Sequence, residues 1–399
     1  MSVQSTTQRR VMIVGGGVVG LSIAWELARR PIAAELQITL VDRHAIDAAM
    51  GHVVDGQRPT TWAAAGILPP ANFDRATDPI DQLRGYAHSI WPLWCNQLFE
   101  RTGIDAEYSH SGGLYLSETR GEAALMSGMV AYWNDLDIDC QSWTPSRTIE
   151  SYPFLKRYFE SNADASAWWT PAESLIRPPR LLAALVAACR SSGVKVESQK
   201  MIGRLEVRDQ GIGVTSRSQQ GEQTETLDDV ILCGGSSLGL IDPQLRLTQS
   251  IIPVRGQMLL LRNDHPDAFH GVVNAGNRYL VGRGDGHVLV GSCEEEVGFV
   301  HGTTDAMMQS LRQFAGRLNP DLLQAPEIAR WSGLRPMTFD GFPMLGPIPG
   351  KPRVMVAGGH YRSGISLAPA TAVAIADQFE RKPSFMDLTA FAVGKQMAA

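Results

Sequence analysis

Long apolar runs, paired cysteines and blocks of like charge are all missing from this sequence of 399 residues. Nowhere does it offer the ~18 uninterrupted apolar residues that a membrane-spanning helix requires. Its five cysteines (Cys95, Cys140, Cys189, Cys233 and Cys293) are dispersed, odd in number and free of any CxxC pair. That pattern argues against a disulfide framework and against a structural zinc site, and no metal is expected. A formal net charge of −5 with no lysine- or arginine-rich run leaves no electrostatic footprint for nucleic acid. Internal repeats and low-complexity tracts are lacking as well. Arg9-Arg10 precede an apolar stretch, as in a twin-arginine export signal. However, Gly15-Gly16-Gly17 and Glu26 break that stretch, and no small-residue cleavage site follows. A cytoplasmic location is the expectation.

What remains is an ordinary globular composition, 44% hydrophobic and 19% charged, on a chain too long for one compact core. Two domains are expected. Val11–Val14 reads as a short strand of the kind buried in a parallel sheet, and Val18 to Arg30 as a helix with Val19, Ile23 and Leu27 on one face, stopped by Pro31. A second strand, Leu36–Val41, ends at Asp42. Strand, glycine turn, helix and strand make the first unit of a Rossmann-type dinucleotide-binding fold. Within it, Gly15-Gly16-Gly17-Val18-Val19-Gly20 fits G-x-G-x-x-G. Gly15 permits the tight turn, Gly17 the approach of backbone to a pyrophosphate, and Gly20 the close packing of helix on strand. The phosphates then meet free amides at the positive end of the helix, and Asp42 accepts from the ribose hydroxyls. His44 to Thr61 reads as a loop over the cofactor. Further on, the pattern gives a helix over Pro179–Arg190 and strands near Val194–Val196, Val230–Cys233 and Val354–Ala357. It also gives a hairpin of Tyr279–Val281 and Val288–Val290 around Gly282–Gly286, and a C-terminal helix over Ala370–Phe379.

This unit alone does not separate NAD from FAD, which share the adenosine diphosphate. Three further segments bear on the choice. Thr60-Thr61-Trp62-Ala63-Ala64-Ala65-Gly66-Ile67-Leu68 is a small-residue run after the βαβ unit, and Gly358-Gly359-His360-Tyr361-Arg362-Ser363-Gly364-Ile365 is a strand-to-helix turn near the C-terminus. Trp331-Ser332-Gly333-Leu334-Arg335-Pro336 is followed by Asp340-Gly341. In their order along nearly the whole chain, these motifs resemble the glycine oxidase branch of the D-amino acid oxidase-like flavoproteins. The resemblance implies FAD, held at Gly15, Gly17, Val18, Val19, Gly20, Asp42, Arg43, Thr60, Thr61, Ala65, Gly66, Ile67 and the turn His360, Tyr361, Arg362, Ser363, Gly364, Ile365 and Ser366, with a backbone contact near Ile202. The loop between Arg43 and Thr60 is longer than the family's usual one. Some sarcosine oxidase relatives attach flavin to a cysteine shortly after the position of Arg335. This chain has none there, so the FAD is expected to be non-covalent.

Oxidising an amino acid at Cα asks the protein mainly for orientation, and a guanidinium fixes a carboxylate with two parallel hydrogen bonds. By resemblance Arg335 is the carboxylate-binding arginine, Arg362 a second substrate arginine, and Tyr279 a tyrosine whose hydroxyl reaches the carboxylate. Each has a plainer reading: a surface ion pair for Arg335, a loop brace for Arg362, a strand aromatic for Tyr279. Glu294 is either an exposed carboxylate at a hairpin end or a determinant of substrate preference. The helix beginning near Gly364 is expected to aim its positive end at the flavin.

The resulting expectation is a two-domain α/β protein. A discontinuous Rossmann-type FAD domain (9–75, 172–237 and 331–385) would carry an inserted antiparallel-sheet α+β substrate domain (76–171 and 238–330). The resemblance implies oxidative deamination of glycine or a similar small amino acid, with dioxygen as second substrate, serving the thiazole moiety of thiamine. An amine or D-amino acid dehydrogenase that passes electrons to a carrier, and a non-catalytic flavin-binding protein, remain alternatives, and the oligomeric state, a homo-oligomer included, stays open.

Overall fold

A computed structural model describes residues 8–46, 58–247, 250–263 and 269–395. Strand β1 (Arg9–Val14), helix α1 (Val18–Arg29) and strand β2 (Leu36–Val41) follow the sequence reading, with Pro31 opening a short 3-10 turn where the helix ends. They sit in a six-stranded sheet ordered Met344–Ile348, Lys351–Gly358, Asp229–Leu232, β1, β2, Lys195–Glu197. Every neighbouring pair is parallel except the first.

Alternation along β1 builds a layer on each face. Val11 and Ile13 pack with α1 and the helices Pro79–Thr102, Pro178–Ser191 and Ala368–Glu380. Met12 and Val14 pack against the antiparallel meander Met201–Arg208, Gly211–Ser218 and Gly221–Leu227. Both sides of the strands are therefore covered, as a parallel sheet demands. Glu26 is buried on α1 but not alone. Arg30 donates to Glu26 at 2.8 Å, to Asp377 at 2.7 Å and to Glu380 at 2.8 Å, tying α1 to the C-terminal helix. A buried carboxylate is tolerable only with such partners.

The second layer system is an eight-stranded sheet ordered Glu327–Met337, Ile252–Arg262, His287–Gly291, Arg278–Gly282, Gly271–Ala275, Gly113–Ser117, Ser166–Thr170, Gln141–Trp143. Neighbours are antiparallel except Gly271–Ala275 with Gly113–Ser117, which run parallel. One face (Leu259, Leu261, Leu280, Val288, Val290) packs on the helix Asp305–Leu318. The other (Met258, Val272, Tyr279, Val281, Trp331) faces Ala63 and Ala65 of the alanine run. A two-stranded ribbon, Ile67–Leu68 with Ser174–Leu175, lies between the two sheet systems. Strand Glu327–Met337, expected from residue 331 on in the flavin domain, pairs along its length with Ile252–Arg262 of this sheet. Helix Pro79–Thr102 buries Leu83, Trp91, Trp94 and Leu98 in the core of the parallel sheet. None of the five cysteines is paired, and among the described residues no helix is long and apolar enough to cross a membrane.

Candidate active site

The carboxyl end of β1 turns through the glycines into α1. Gly15 has φ +118°, and a Cβ there would lie 2.3 Å from the Cys233 carbonyl oxygen. A Cβ on Gly20 would lie 2.0 Å from the Gly15 oxygen, so helix and loop touch backbone to backbone. Gly17 differs: its Cβ would find only Thr61 Oγ1 at 3.4 Å, an ordinary contact. The protein itself leaves that position room, and the absent side chain keeps the helix end open to a close-approaching ligand. Gly17 caps α1 without any side-chain hydrogen bond, and the Val18 amide donates to Thr61 Oγ1 at 3.1 Å. The helix end holds no carboxylate of its own in its first turn, an arrangement that favours an anion.

From this end a cavity of about 510 Å³ runs along the inner face of the eight-stranded sheet. It is lined by Gly17, Val18, Val19, Thr60, Thr61, Ala65, Gly66 and Ile67, by Tyr279 and Arg335, and by the whole turn His360–Ser366. Gly15, Gly20, Asp42, Arg43 and Ile202 are not among its walls. Asp42 instead accepts from the Gly16 amide at 2.7 Å and from the His44 amide at 2.7 Å, bracing the glycine loop with lone pairs to spare for a ribose. Arg43 donates to its neighbour His44 at 3.1 Å. Ile202 is buried beside Val41 in the meander core, two residues from Lys200, whose amide donates to the Asp42 carbonyl at 2.9 Å. Most of the expected loop 44–61 lies outside the described residues; its end forms the short helix Thr60–Ala63.

Arg335 is pinned in place: one nitrogen donates to the Cys293 carbonyl at 2.9 Å and another to Ser292 Oγ at 2.8 Å. Its guanidinium occupies the space a Cβ on Gly256 would fill, and the Tyr279 ring does the same over Gly291. The Tyr279 hydroxyl points to Met258 Sδ at 3.6 Å. Arg362 is nearly half exposed and forms an ion pair with Glu294 at 3.0 Å; Tyr361 also bonds Glu294, which helps to raise the phenol's pKa. Glu294 is thus an exposed carboxylate, as one of its two readings had it, but an ion-paired one. His360 is fully buried, bonded to Thr371 Oγ1 at 3.0 Å, and burial pushes its pKa down to about 4. It is a neutral brace at physiological pH. The helix expected near Gly364 starts at Ala368, after a turn closed by Leu367 N–H to the Ser363 carbonyl at 2.9 Å.

Two features had no signal in the sequence. Arg283, in the glycine-rich hairpin, is buried and donates to the carbonyls of Ala65 and Ile176, holding the alanine run against the ribbon; desolvation lowers its pKa to about 10. Glu173 lines the cavity, 1% exposed, bonded to Tyr115 and Asn274.

Residues 10–378 match the family model of FAD-dependent oxidoreductases called DAO. The chain belongs to this family. The glycine cradle, the uncapped helix end and the cavity beyond them fit FAD as its cofactor. Among relatives of this flavoprotein, a glycine oxidase of Pseudomonas aeruginosa is 31% identical, over 96% of this chain and 98% of that one. A bifunctional protein ThiO/ThiG of Trichormus variabilis is 30% identical over 92% of this chain, which spans 52% of that longer protein. The crystal structure of glycine oxidase from Geobacillus kaustophilus superposes with a TM-score of 0.85 at 28% identity, covering 98% of this chain and all of the other.

Proposed function

We propose that this flavoprotein oxidatively deaminates glycine or a similar small amino acid in the cytoplasm, yielding a 2-oxo acid, ammonia and hydrogen peroxide from dioxygen. The observation that carries the reading is Arg335, a guanidinium held by Ser292 and Cys293 and facing the same cavity as Tyr279 and the alanine run. FAD, when bound, accepts the hydrogen and electron pair from the substrate Cα–H bond. The chain's residues do the rest. Arg335 neutralises and orients the carboxylate, with the Tyr279 hydroxyl as second donor. Arg362 adds a cation when Glu294 releases it. Neutral His360 holds the turn rigid and takes no proton. Ser363 and Ser366 extend the polar wall of the turn. In this reading residues 9–75, 172–237 and 331–385 gather the flavin and 76–171 with 238–330 cover the substrate, although Arg335 itself reaches in from the covering sheet. Similarity to a glycine oxidase and to a ThiO/ThiG protein supports glycine as substrate and a role in supplying the thiazole of thiamine.

The test is direct. Purified holoenzyme should bleach on anaerobic addition of glycine and form peroxide in air. Arg335→Ala should raise KM for glycine about a hundredfold, the value of a charge-assisted pair of about 2–3 kcal/mol. An unchanged KM would remove Arg335 from the carboxylate site.

A further inference from the structure

The carboxylate clamp uses only one end of the cavity. Tyr279 stands opposite Asn274 on the neighbouring strand, and Asn274 stands opposite Tyr115 on the next. Paired residues on adjacent strands share a face, so the three side chains form a row, with roughly 4.8 Å between strands. At the far end of this row lies Glu173. One of its oxygens accepts from Asn274 Nδ2 at 3.2 Å, the other from the Tyr115 hydroxyl. Its backbone is fixed too, since the Gly112 amide donates to the Glu173 carbonyl at 2.9 Å. A Cβ on Gly113 would strike Glu173 Oε1 at 2.4 Å, so the missing side chain makes room for the carboxyl.

A structural brace alone does not account for this group. Tyr115 and Asn274 supply two neutral donors, while a carboxylate has about four acceptor sites. Burial pushes the Glu173 pKa up to about 7, which marks a charge taken from water without a counter-charge. Among the described residues no cation bonds to it, yet it opens onto a cavity whose other end holds a fixed guanidinium. The Arg335 guanidinium lies over Gly256, three strands from Asn274, so the anion and the cation stand roughly 14 Å apart at the usual strand spacing and complement a ligand with a carboxylate at one end and an amine at the other.

We infer that Glu173, with Asn274 and Tyr115, forms a distal subsite that binds the second amino group of a short diamino acid whose α-carboxylate lies on Arg335 and Tyr279. The separation between Arg335 and Glu173, less one contact distance at each end, suits an extended side chain of three or four carbons. Glycine then fills only the proximal half of the cavity. The inference rests on the proposed carboxylate clamp.

The test uses holoenzyme and both enantiomers of ornithine and lysine, against the uncharged analogues norvaline and norleucine. At pH 8 one diamino acid should exceed its uncharged analogue at least tenfold in kcat/KM. Glu173→Gln should erase that ratio, and Asn274→Ala should reduce it. The ratio is insensitive to a general loss of activity, and the wild-type panel depends on no variant folding. Oxidation of glycine and norvaline with no advantage for either diamino acid would overturn the subsite alone. If no amino acid were oxidised, the carboxylate clamp would fall and the subsite with it.

Discussion

Arg362, on the cavity wall, pairs with the exposed Glu294 at 3.0 Å, and Tyr361 bonds to the same carboxylate. A substrate carboxylate must compete with Glu294 for that guanidinium, and a half-exposed pair of this kind is worth at most about 1 kcal/mol. Replacing Glu294 by methionine keeps the length and removes the competitor. Glu294→Met should therefore lower the KM for glycine by up to about fivefold, with kcat little changed, as steady-state peroxide assays would read. A KM that stays put would mean that Arg362 braces its turn and leaves the carboxylate to Arg335. The two arginines thus do different work despite sharing one cavity: Arg335 is locked by neutral acceptors and has its charge free, whereas Arg362 has its charge already answered.

The glycine turn at the head of α1 separates folding from binding. Gly20→Ala would drive a Cβ to 2.0 Å from the Gly15 oxygen, a backbone atom that cannot step aside without moving the loop. Gly17→Ala meets nothing closer than 3.4 Å in the protein, so the apoprotein should fold with an unchanged circular dichroism spectrum. Its methyl would instead stand where phosphate must approach the free amides. Gly17→Ala is expected to purify largely colourless, with FAD affinity at least tenfold weaker by flavin fluorescence titration. Wild-type FAD content in that variant would place the pyrophosphate elsewhere. This turn, β1, α1 and β2 were legible in the sequence because their signals are consecutive: a short apolar run, spaced glycines, a one-faced helix, an acid at the next strand end. The hairpin of Arg278–Gly282 and His287–Gly291 and the C-terminal helix were readable for the same reason. Helix Pro79–Thr102 was not read, because Pro92 within it carries the mark of a boundary. Arg283 was hidden among turn glycines, and only the folded hairpin brings it to the Ala65 carbonyl. The row of Tyr115, Asn274 and Tyr279 depends on a parallel pairing between strands more than 150 residues apart, Gly113–Ser117 and Gly271–Ala275, for which local patterning holds no clue.

At the level of the whole molecule, the ribbon Ile67–Leu68 with Ser174–Leu175 runs between the parallel-sheet core and the eight-stranded sheet, and Glu173 sits at its edge. Its side chain is held by Tyr115 and Asn274, so its protonation is coupled to the packing of the eight-stranded sheet. The carboxyl has an ordinary pKa of 4.5 and is raised to about 7 in the folded chain, chiefly by burial. The folded state thus holds this proton more tightly than the unfolded state. The stabilisation is fully present below pH 4.5 and is lost as pH rises through about 7, to a total of about 3 kcal/mol. The other ionisable groups that feel Glu173 do not blur the window, because Tyr115, Tyr152 and Cys140 are all shifted upward and stay neutral across it. Glu173→Gln keeps the volume and an acceptor for Tyr115 while deleting the titration. The Tm of wild type relative to Glu173→Gln should accordingly fall between pH 5 and pH 8, measured by differential scanning calorimetry without substrate. Parallel Tm profiles for the two proteins would mean that water or a cation already reaches the carboxyl in solution. If the profiles diverge as expected, adding ornithine at pH 8 should raise the wild-type Tm more than that of Glu173→Gln, since a ligand that answers the buried charge returns the stability that ionisation removed.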